Sequence, residues 1–389
     1  MGGVLMAKHI VGIITEYNPF HNGHLYHIEK VKEIFPDSPI ILVLGGNFTQ
    51  RGDISILNKW DKTELALTYG ADLVIELPFV FATQSADYFA HGSISLLKEL
   101  KVDKIVFGSE TNLVSQFEEL ADIQLTHPEY ENMVKEEMKL GKNYPTALSL
   151  VLKKLTGKTV QLPNDILALS YIREIKKQKA SIKAISIQRT NDYHHFSRNE
   201  ITSAESIRRL LQEGKEISSY VPKKTQGKIT FPISNENYFS FLKYQIMTHW
   251  NQLDQFQTVD QDMSARIKKA ILSSHSLEEL IQKLKTKRYT YNRIQRMLTH
   301  ILCHFTKEEA KQMCEIEYIR VLGFTDKGKT YLNQMKKQVT LPIITTYSKG
   351  NSSMLLLEQR ITYCYSLAFP LEIQKQLWKE EYQKGPIQM

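Results

Sequence analysis

Cysteine is scarce in this chain of 389 residues, and the three present, Cys303, Cys314 and Cys364, form neither a CxxC pair nor an even set. Their spacing disfavours a disulfide framework or a structural zinc site and predicts buried, inert thiols. No uninterrupted stretch approaches the roughly 20 apolar residues of a membrane span. The run from Met1 to Ile14 carries one lysine and leads straight into a strand-like segment, so neither a leader nor a membrane anchor is expected. Met6 is an alternative start. Internal repeats and low-complexity tracts are also missing. The 42% hydrophobic and 24% charged content falls in the globular range and leaves length for two cores, as expected of a cytoplasmic enzyme.

The most informative stretch is Glu16-Tyr17-Asn18-Pro19-Phe20-His21-Asn22-Gly23-His24. It follows a short run rich in β-branched residues, Val11 to Thr15, that reads as a buried parallel strand, and it opens an apolar-periodic segment that reads as a helix. Gly23 lets backbone approach an anion without a Cβ in the way. A helix starting there directs unpaired N–H groups and its positive dipole end forward. His21 and His24 flank this cradle, where imidazoles can donate to non-bridging phosphate oxygens and follow charge building on a leaving pyrophosphate. The pattern is an HxGH signature and implies attack on an α-phosphate.

Strand-like runs at Ile10 to Thr15, Ile40 to Leu44, Leu73 to Leu77, Lys104 to Gly108 and Ser181 to Gln188 alternate with helical patterns at His24 to Phe35, Asn58 to Tyr69 and Ala82 to Leu100. The fold class predicted is α/β, a doubly wound, Rossmann-like parallel sheet. Leu113 to Lys154 reads as a helical insertion broken at Pro128 and Pro145. After the last strand and Arg189 comes the polar segment Thr190 to Glu200, then Ile201 to Arg209. Within it, hydroxyl side chains such as that of Ser203 can cap a helix start, and Arg208 one turn in can reach the same anion.

From about Gln212 strand alternation stops and helical patterns take over: Tyr238 to Trp250, Ser264 to Ser273, Leu277 to Lys285, Tyr291 to Cys303 and Ser353 to Tyr365. Two domains are expected, a catalytic one over 1–215 and a mostly α-helical one over 216–389, with a linker near Gly214 and Ser218 to Gly227. Charge divides the same way. Residues 1–200 carry 22 Lys+Arg against 24 Asp+Glu, whereas 201–389 carry 28 against 18, so a polyanion would dock on the second half. There Lys283, Lys285, Lys287, Arg288, Arg293 and Arg296 are interleaved with Tyr289 and Tyr291, a mixture suited to phosphate contacts and base stacking.

Several blocks together resemble one family, the tRNA(Met) cytidine acetate ligases, within the HxGH nucleotidyltransferase superfamily. They are Glu16 to His24, Gly46 to Asp53, Gly70 to Pro78, Phe107 to Glu110, Asn164 to Ala168 and Lys287 to Thr290, spread over nearly the whole chain. Ile201 to Arg208 resembles the superfamily's I-S-S-T-x-I-R element, with Thr202 and Ala204 replacing two hydroxyl positions, and Gly45 stands where serine is expected. The resemblance implies that ATP lies along Ile14, Thr15, Glu16, Tyr17, Asn18, Pro19, Phe20, His21, Asn22, Gly23, His24 and His27, and is touched by Gly108, Asn164 and Arg189. Ser203 and Arg208 would complete the phosphate side.

It further implies two steps: acetate and ATP give acetyl-adenylate and pyrophosphate, and N4 of cytidine 34 in elongator tRNA(Met) takes the acetyl group. Catalysis is assigned to His21 and His24, aided by Arg189 and Arg208, and tRNA binding to Lys287, Arg288, Arg293 and Arg296. Gln50, Arg51 and Lys142 are candidate contacts near the anticodon loop. Mg²⁺ is expected on the triphosphate with no protein ligand assignable; DNA and membranes are not expected partners. Asp72 and Glu76 are expected to be structural, and Glu16 to bind Mg²⁺ or cap the loop. Two alternatives stand beside this reading, a nucleotidyltransferase condensing ATP with a phosphorylated metabolite, and a non-catalytic RNA-binding protein.

Overall fold

The computed structural model describes residues 9–189 and 201–389; the segment Thr190 to Glu200 and both candidate start methionines lie outside the described residues. Strands β1 (Val11–Thr15), β2 (Ile40–Gly45), β3 (Leu73–Leu77), β4 (Lys104–Ser109) and β5 (Lys183–Gln188) form the parallel body of one sheet in the order β5-β4-β1-β2-β3. Strands β2 and β3 are buried on every residue, as their continuous apolar runs require. The order reverses between β1 and β4, and sheets of this kind bind ligands beyond the carboxyl ends of the strands at that point.

Helices α1 (Asn22–Ile34), α2 (Lys59–Tyr69), α3 (Phe79–Ala82), α4 (Ala86–Glu99), α5 (Val114–Thr126), α6 (Tyr130–Lys139), α7 (Tyr144–Thr156) and α8 (Pro163–Lys177) surround it. The expected helix from Ala82 is two helices separated by Thr83–Ser85. Pro145 does not break a helix; it occupies the first turn of α7, where its missing N–H is not needed. Helix α8 was not read from periodicity.

The second half is not strand-free, which corrects the sequence reading. Strand β6 (Ile319–Phe324) runs antiparallel beside β3, with β7 (Ile343–Ile344) and β8 (Ile387–Gln388) parallel to it. The helices after β5 are α9 (Ala204–Gln212), α10 (Lys223–Lys228), α11 (Phe239–Thr248), α12 (Gln261–Ile271), α13 (Leu277–Leu284), α14 (Tyr291–Leu302), α15 (Lys307–Gln312), α16 (Asp326–Met335), α17 (Ser353–Ser366) and α18 (Leu371–Gln383). The stretch expected as a linker is packed, since Ile217 and Val221 are buried with Ile207 of α9. Of the three thiols, Cys303 is buried and Cys364 half-buried, but Cys314 is exposed.

A buried ionic cluster fastens β6 and α18 to α2 and β3. Lys59 lies 2.6 Å from Glu76 and 2.7 Å from Glu381, and Arg320 lies 3.1 Å from Glu76 and 2.5 Å from Glu381, all almost fully buried. Glu76 is thus structural, as expected from its place ending a buried strand. Asp72 is too: it accepts from Ile40 N at 2.9 Å and from the Thr325 hydroxyl at 3.0 Å.

Candidate active site

Beyond the end of β1 the chain folds back on itself as helix α1 begins. His21 is its N-cap, and the two histidines form a reciprocal capping box: His21 Nδ1 accepts from Gly23 N at 3.0 Å, while His24 Nδ1 accepts from His21 N at 3.2 Å. Their rings stack with centroids 3.7 Å apart and 25° between planes. A Cβ on residue 23 would sit 2.8 Å from His21 Cε1, so glycine is what lets the first ring fold over the backbone. Tyr17 and Phe20 back His24, at centroid distances of 4.6 and 5.7 Å.

This geometry fixes chemistry that the sequence left open. A nitrogen that accepts from a backbone N–H carries no proton, so in a neutral ring the proton sits on the other nitrogen. Both rings are held neutral: His21 is pushed down to about 3 by burial and then by the charges of Arg189 and Arg208, and His24 falls well below the usual range for the same leading reason. Both therefore offer Nε2–H as a donor. Burial and Arg189 lower His27 to about 4, and its Nε2 is buried without a partner.

The helix start differs from expectation in one respect. Its first backbone N–H groups are occupied: Asn22 N donates to Tyr220 O at 3.0 Å and Gly23 N to the His21 ring, and the Asn22 side chain ties the turn further by donating from Nδ2 to Ser219 O at 3.0 Å. The donors left to meet an anion are those of the imidazoles and nearby guanidinium groups, in the field of the helix dipole.

The other candidate residues arrive from three sides. Arg189 follows β5, its N–H on Ser109 O at 2.8 Å, and its aliphatic stem covers Gly108. Asn164, at the start of α8, donates from Nδ2 to Glu110 at 2.5 Å, and Asp165 accepts in return from Ser109 Oγ at 2.5 Å and Glu110 N at 2.9 Å, which locks the Phe107–Glu110 turn to α8. Ile201 lies 3.5 Å from the Cβ position of Gly23, and Ser203 caps α9 by accepting from Ser206 N at 3.1 Å. Arg208 donates to Asn18 O at 2.8 Å and pairs with Asp53 at 3.3 Å. Asn18 itself grips Ile54 O and Ile56 N, at 3.0 and 2.8 Å. Ile14 and Thr15 end β1, and Pro19 follows Asn18 through a cis peptide.

Glu16 caps a loop: its carboxylate accepts from Gln50 N, and burial raises its pKa. Beneath it lies a residue the sequence reading missed. Lys62 is fully buried and donates to the carbonyls of Glu16, Gly45 and Gly46 at 3.0, 2.7 and 2.5 Å, tying the ends of β1 and β2; burial lowers it to about 7. Lys59, Lys62, Thr63 and Ala66 fall on one face of α2 and all are buried, a face whose polar residues carry no apolar periodicity in the sequence.

The basic segment is not one face. Lys287 and Arg288 are exposed, but Tyr289 is buried, with its hydroxyl on Asp260, and Tyr291 donates to Glu278 at 2.6 Å, so the pair expected to stack on bases is engaged internally. Lys283 likewise pairs with Glu279 at 2.6 Å. Arg293 lies over the Tyr289 ring at 4.4 Å. Arg296 turns inward to donate to Gln50 O at 3.3 Å. Gln50 also donates to Gln84 O at 2.6 Å, Arg51 lies 3.8 Å from Glu205, and Lys142 is exposed.

Comparison with known proteins points to one family. Residues 8–381 match the HIGH Nucleotidyl Transferase family. The tRNA(Met) cytidine acetate ligase of Halalkalibacterium halodurans is 40% identical over 97% of this chain and 97% of its own length. That of Bacillus subtilis (strain 168) is 36% identical over 97% of this chain and 96% of its own. The crystal structure of Thermotoga maritima TmcAL bound with alpha-thio ATP is similar with a TM-score of 0.88 at 29% identity, covering 98% of this chain and 99% of that one.

Proposed function

The chain belongs to the HIGH nucleotidyl transferases and, among them, to the tRNA(Met) cytidine acetate ligases, and on that premise we propose that acetate opens ATP at the His21–His24 pocket before the acetyl group passes to tRNA. It is an ATP-dependent ligase that forms acetyl-adenylate and acetylates N4 of cytidine 34 in elongator tRNA(Met). The observation that carries this assignment is the pair of stacked, neutral imidazoles, each with Nδ1 committed to backbone and Nε2–H free to donate.

Acetate is already ionised at neutral pH, so the first step needs no general base. It needs two anions brought in line, a task of positioning and charge neutralisation. A carboxylate oxygen attacks the α-phosphorus, the bond to the β-bridging oxygen breaks, and pyrophosphate leaves with the electron pair. Arg189 and Arg208 supply fixed positive charge. His21 and His24 donate hydrogen bonds that strengthen as negative charge gathers on the leaving group, and His27 adds a further donor. Gly108 and Asn164 border the nucleoside side, while Ser203 and the start of α9 face the phosphates. In the second step the amine attacks the acetyl carbonyl carbon, AMP departs, and the amine's proton is released.

Mg²⁺ belongs to the proposal as a companion of the triphosphate. Among the described residues no group of three His, Cys, Asp or Glu side chains is placed to hold a metal, and the Glu16 carboxylate is occupied by Gln50. Bound with the triphosphate, the ion would lower the charge on the leaving pyrophosphate. No helix among the described residues is long and apolar enough to cross a membrane. The proposal assigns residues 1–215 to adenylation and 216–389 to tRNA, in the cytoplasm, with Lys287 and Arg288 as surface phosphate contacts alongside Arg293 and Arg296.

The test is pyrophosphate release. Release that requires acetate, with label from acetate recovered on the wobble cytidine, supports the proposal. Release driven by a phosphorylated metabolite, or ATP binding without turnover, overturns it.

A further inference from the structure

Arg296 sits half-buried on the second turn of α14 with no acidic group acting on it among the described residues. Its Nε is buried without a partner, and its contact is a 3.3 Å hydrogen bond to the carbonyl of Gln50. The charge acting on the guanidinium is another cation, Arg293; burial, with that repulsion, lowers its pKa to about 10. Burying a cation beside a cation is costly unless an anion arrives.

The site is built rather than incidental. Gly52, with φ of +84°, lies so close to α14 that a Cβ would stand 2.5 Å from Arg296 Cα, and its carbonyl accepts from Gln295 Nε2 and the Thr299 hydroxyl at 3.2 and 2.7 Å. The loop carrying Gln50 is thereby fixed on the helix. On its other side Gln50 N binds the Glu16 carboxylate at the end of β1. From the surface, exposed Lys287 and Arg288 lead through Arg293 to Arg296, and Asn143 at the tip of α7 reaches Lys287 O at 3.5 Å across the top of this track.

We propose that Arg296 binds a backbone phosphate of the single-stranded RNA segment beside the reacting cytidine, as the inner end of a basic track that starts at Lys287. The inference rests on the ligase reading above. A nucleic-acid phosphate suits the position better than acetate does, because Arg296 is held on the Gln50 carbonyl, whereas the guanidinium-bearing side chains at the histidine pocket are Arg208, on Asn18 O, and Arg189, over Gly108. A guanidinium held by a single carbonyl keeps donors for two phosphate oxygens, the fork geometry that favours arginine over lysine.

The experiment uses the full-length enzyme, an unmodified anticodon stem-loop, and a series of stem-loops each bearing one neutral methylphosphonate in the loop. Arg296→Ala should lower the ratio of acetyl transfer to acetate-dependent ATP–pyrophosphate exchange by about tenfold or more, the scale of one lost charged hydrogen bond. Arg296→Lys should recover part of it. In the wild-type enzyme, one methylphosphonate position should reproduce the loss, and in Arg296→Ala the same position should add little, since the partners act as a pair. Additive losses at every position, equal losses in exchange and transfer, or a raised KM for acetate in exchange would each overturn the assignment. If the wild type shows no acetate-dependent exchange, the ligase reading itself fails, a result distinct from all of these.

Discussion

His21 and His24 lie ring on ring, 3.7 Å between centroids, and each uses Nδ1 to hold the backbone of the turn that the other begins or ends. The helix cap and the phosphate donors are therefore the same two side chains. Replacing His21 with asparagine separates the roles, because the amide oxygen can still accept from the helix start while the Nε2–H is lost. His21→Asn should fold, with a melting temperature within a few degrees of wild type, yet lose about 10²- to 10³-fold in acetate-dependent pyrophosphate exchange. Exchange within twofold of wild type would remove His21 from the chemistry.

The depressed histidines set a pH dependence of stability. In the unfolded chain an imidazole takes up its proton near pH 6.5, by the ordinary value of about 6.5, whereas His21 and His27 in the fold resist it until about 3 and about 4. Between those limits the unfolded state binds more protons, so stability rises with pH and falls on acidification. His91 works the other way, raised chiefly by its hydrogen bond to Glu174, so the comparison must be with a variant. The drop in melting temperature from pH 7 to pH 5 should be smaller in His21→Asn; identical slopes would show that His21 does not resist protonation.

Glu381 holds both Lys59 and Arg320 in the buried cluster. Its pKa is lowered to about 2, the attraction of Arg320 and Lys59 outweighing burial. Glu381→Gln leaves two buried cations with less counter-charge and should cost roughly 3–5 kcal/mol, the range for breaking a buried pair. Urea unfolding would measure it, and a loss under about 1 kcal/mol would mean that water reaches the cluster.

Much of this was legible beforehand because it is local. A β-branched run ending at Thr15, a glycine two residues after His21, and a serine ahead of α9 are signals carried by neighbours in the chain, and each lies where it was expected. What the sequence hid depends on distant partners. Strand β6 was missed because Ile319–Phe324 contains Arg320, which looks out of place in a buried strand until Glu76 and Glu381 are seen around it. Lys62 gave no motif, since its role is to satisfy carbonyls of two other strands. The basic segment misled for the opposite reason: composition reports charge but not direction, and Tyr289 turns toward Asp260 while Arg296 turns toward Gln50.

At the surface, Lys287 and Arg288 should act by charge alone. Neutralising either with glutamine should lower tRNA affinity and reduce the slope of log affinity against log salt by about 0.7–0.9, the value per released counterion. Slopes unchanged in both variants would return this turn to a merely solvated role.

The proton positions on the two rings decide the account most directly. With histidine labelled at both ring nitrogens, nitrogen NMR at pH 7 distinguishes a neutral Nε2–H ring from a neutral Nδ1–H ring and from a cation. The account predicts neutral Nε2–H signals for His21 and His24 without nucleotide, both moving when a non-hydrolysable ATP analogue is added. Nδ1–H signals, or rings that ignore the nucleotide, would contradict it.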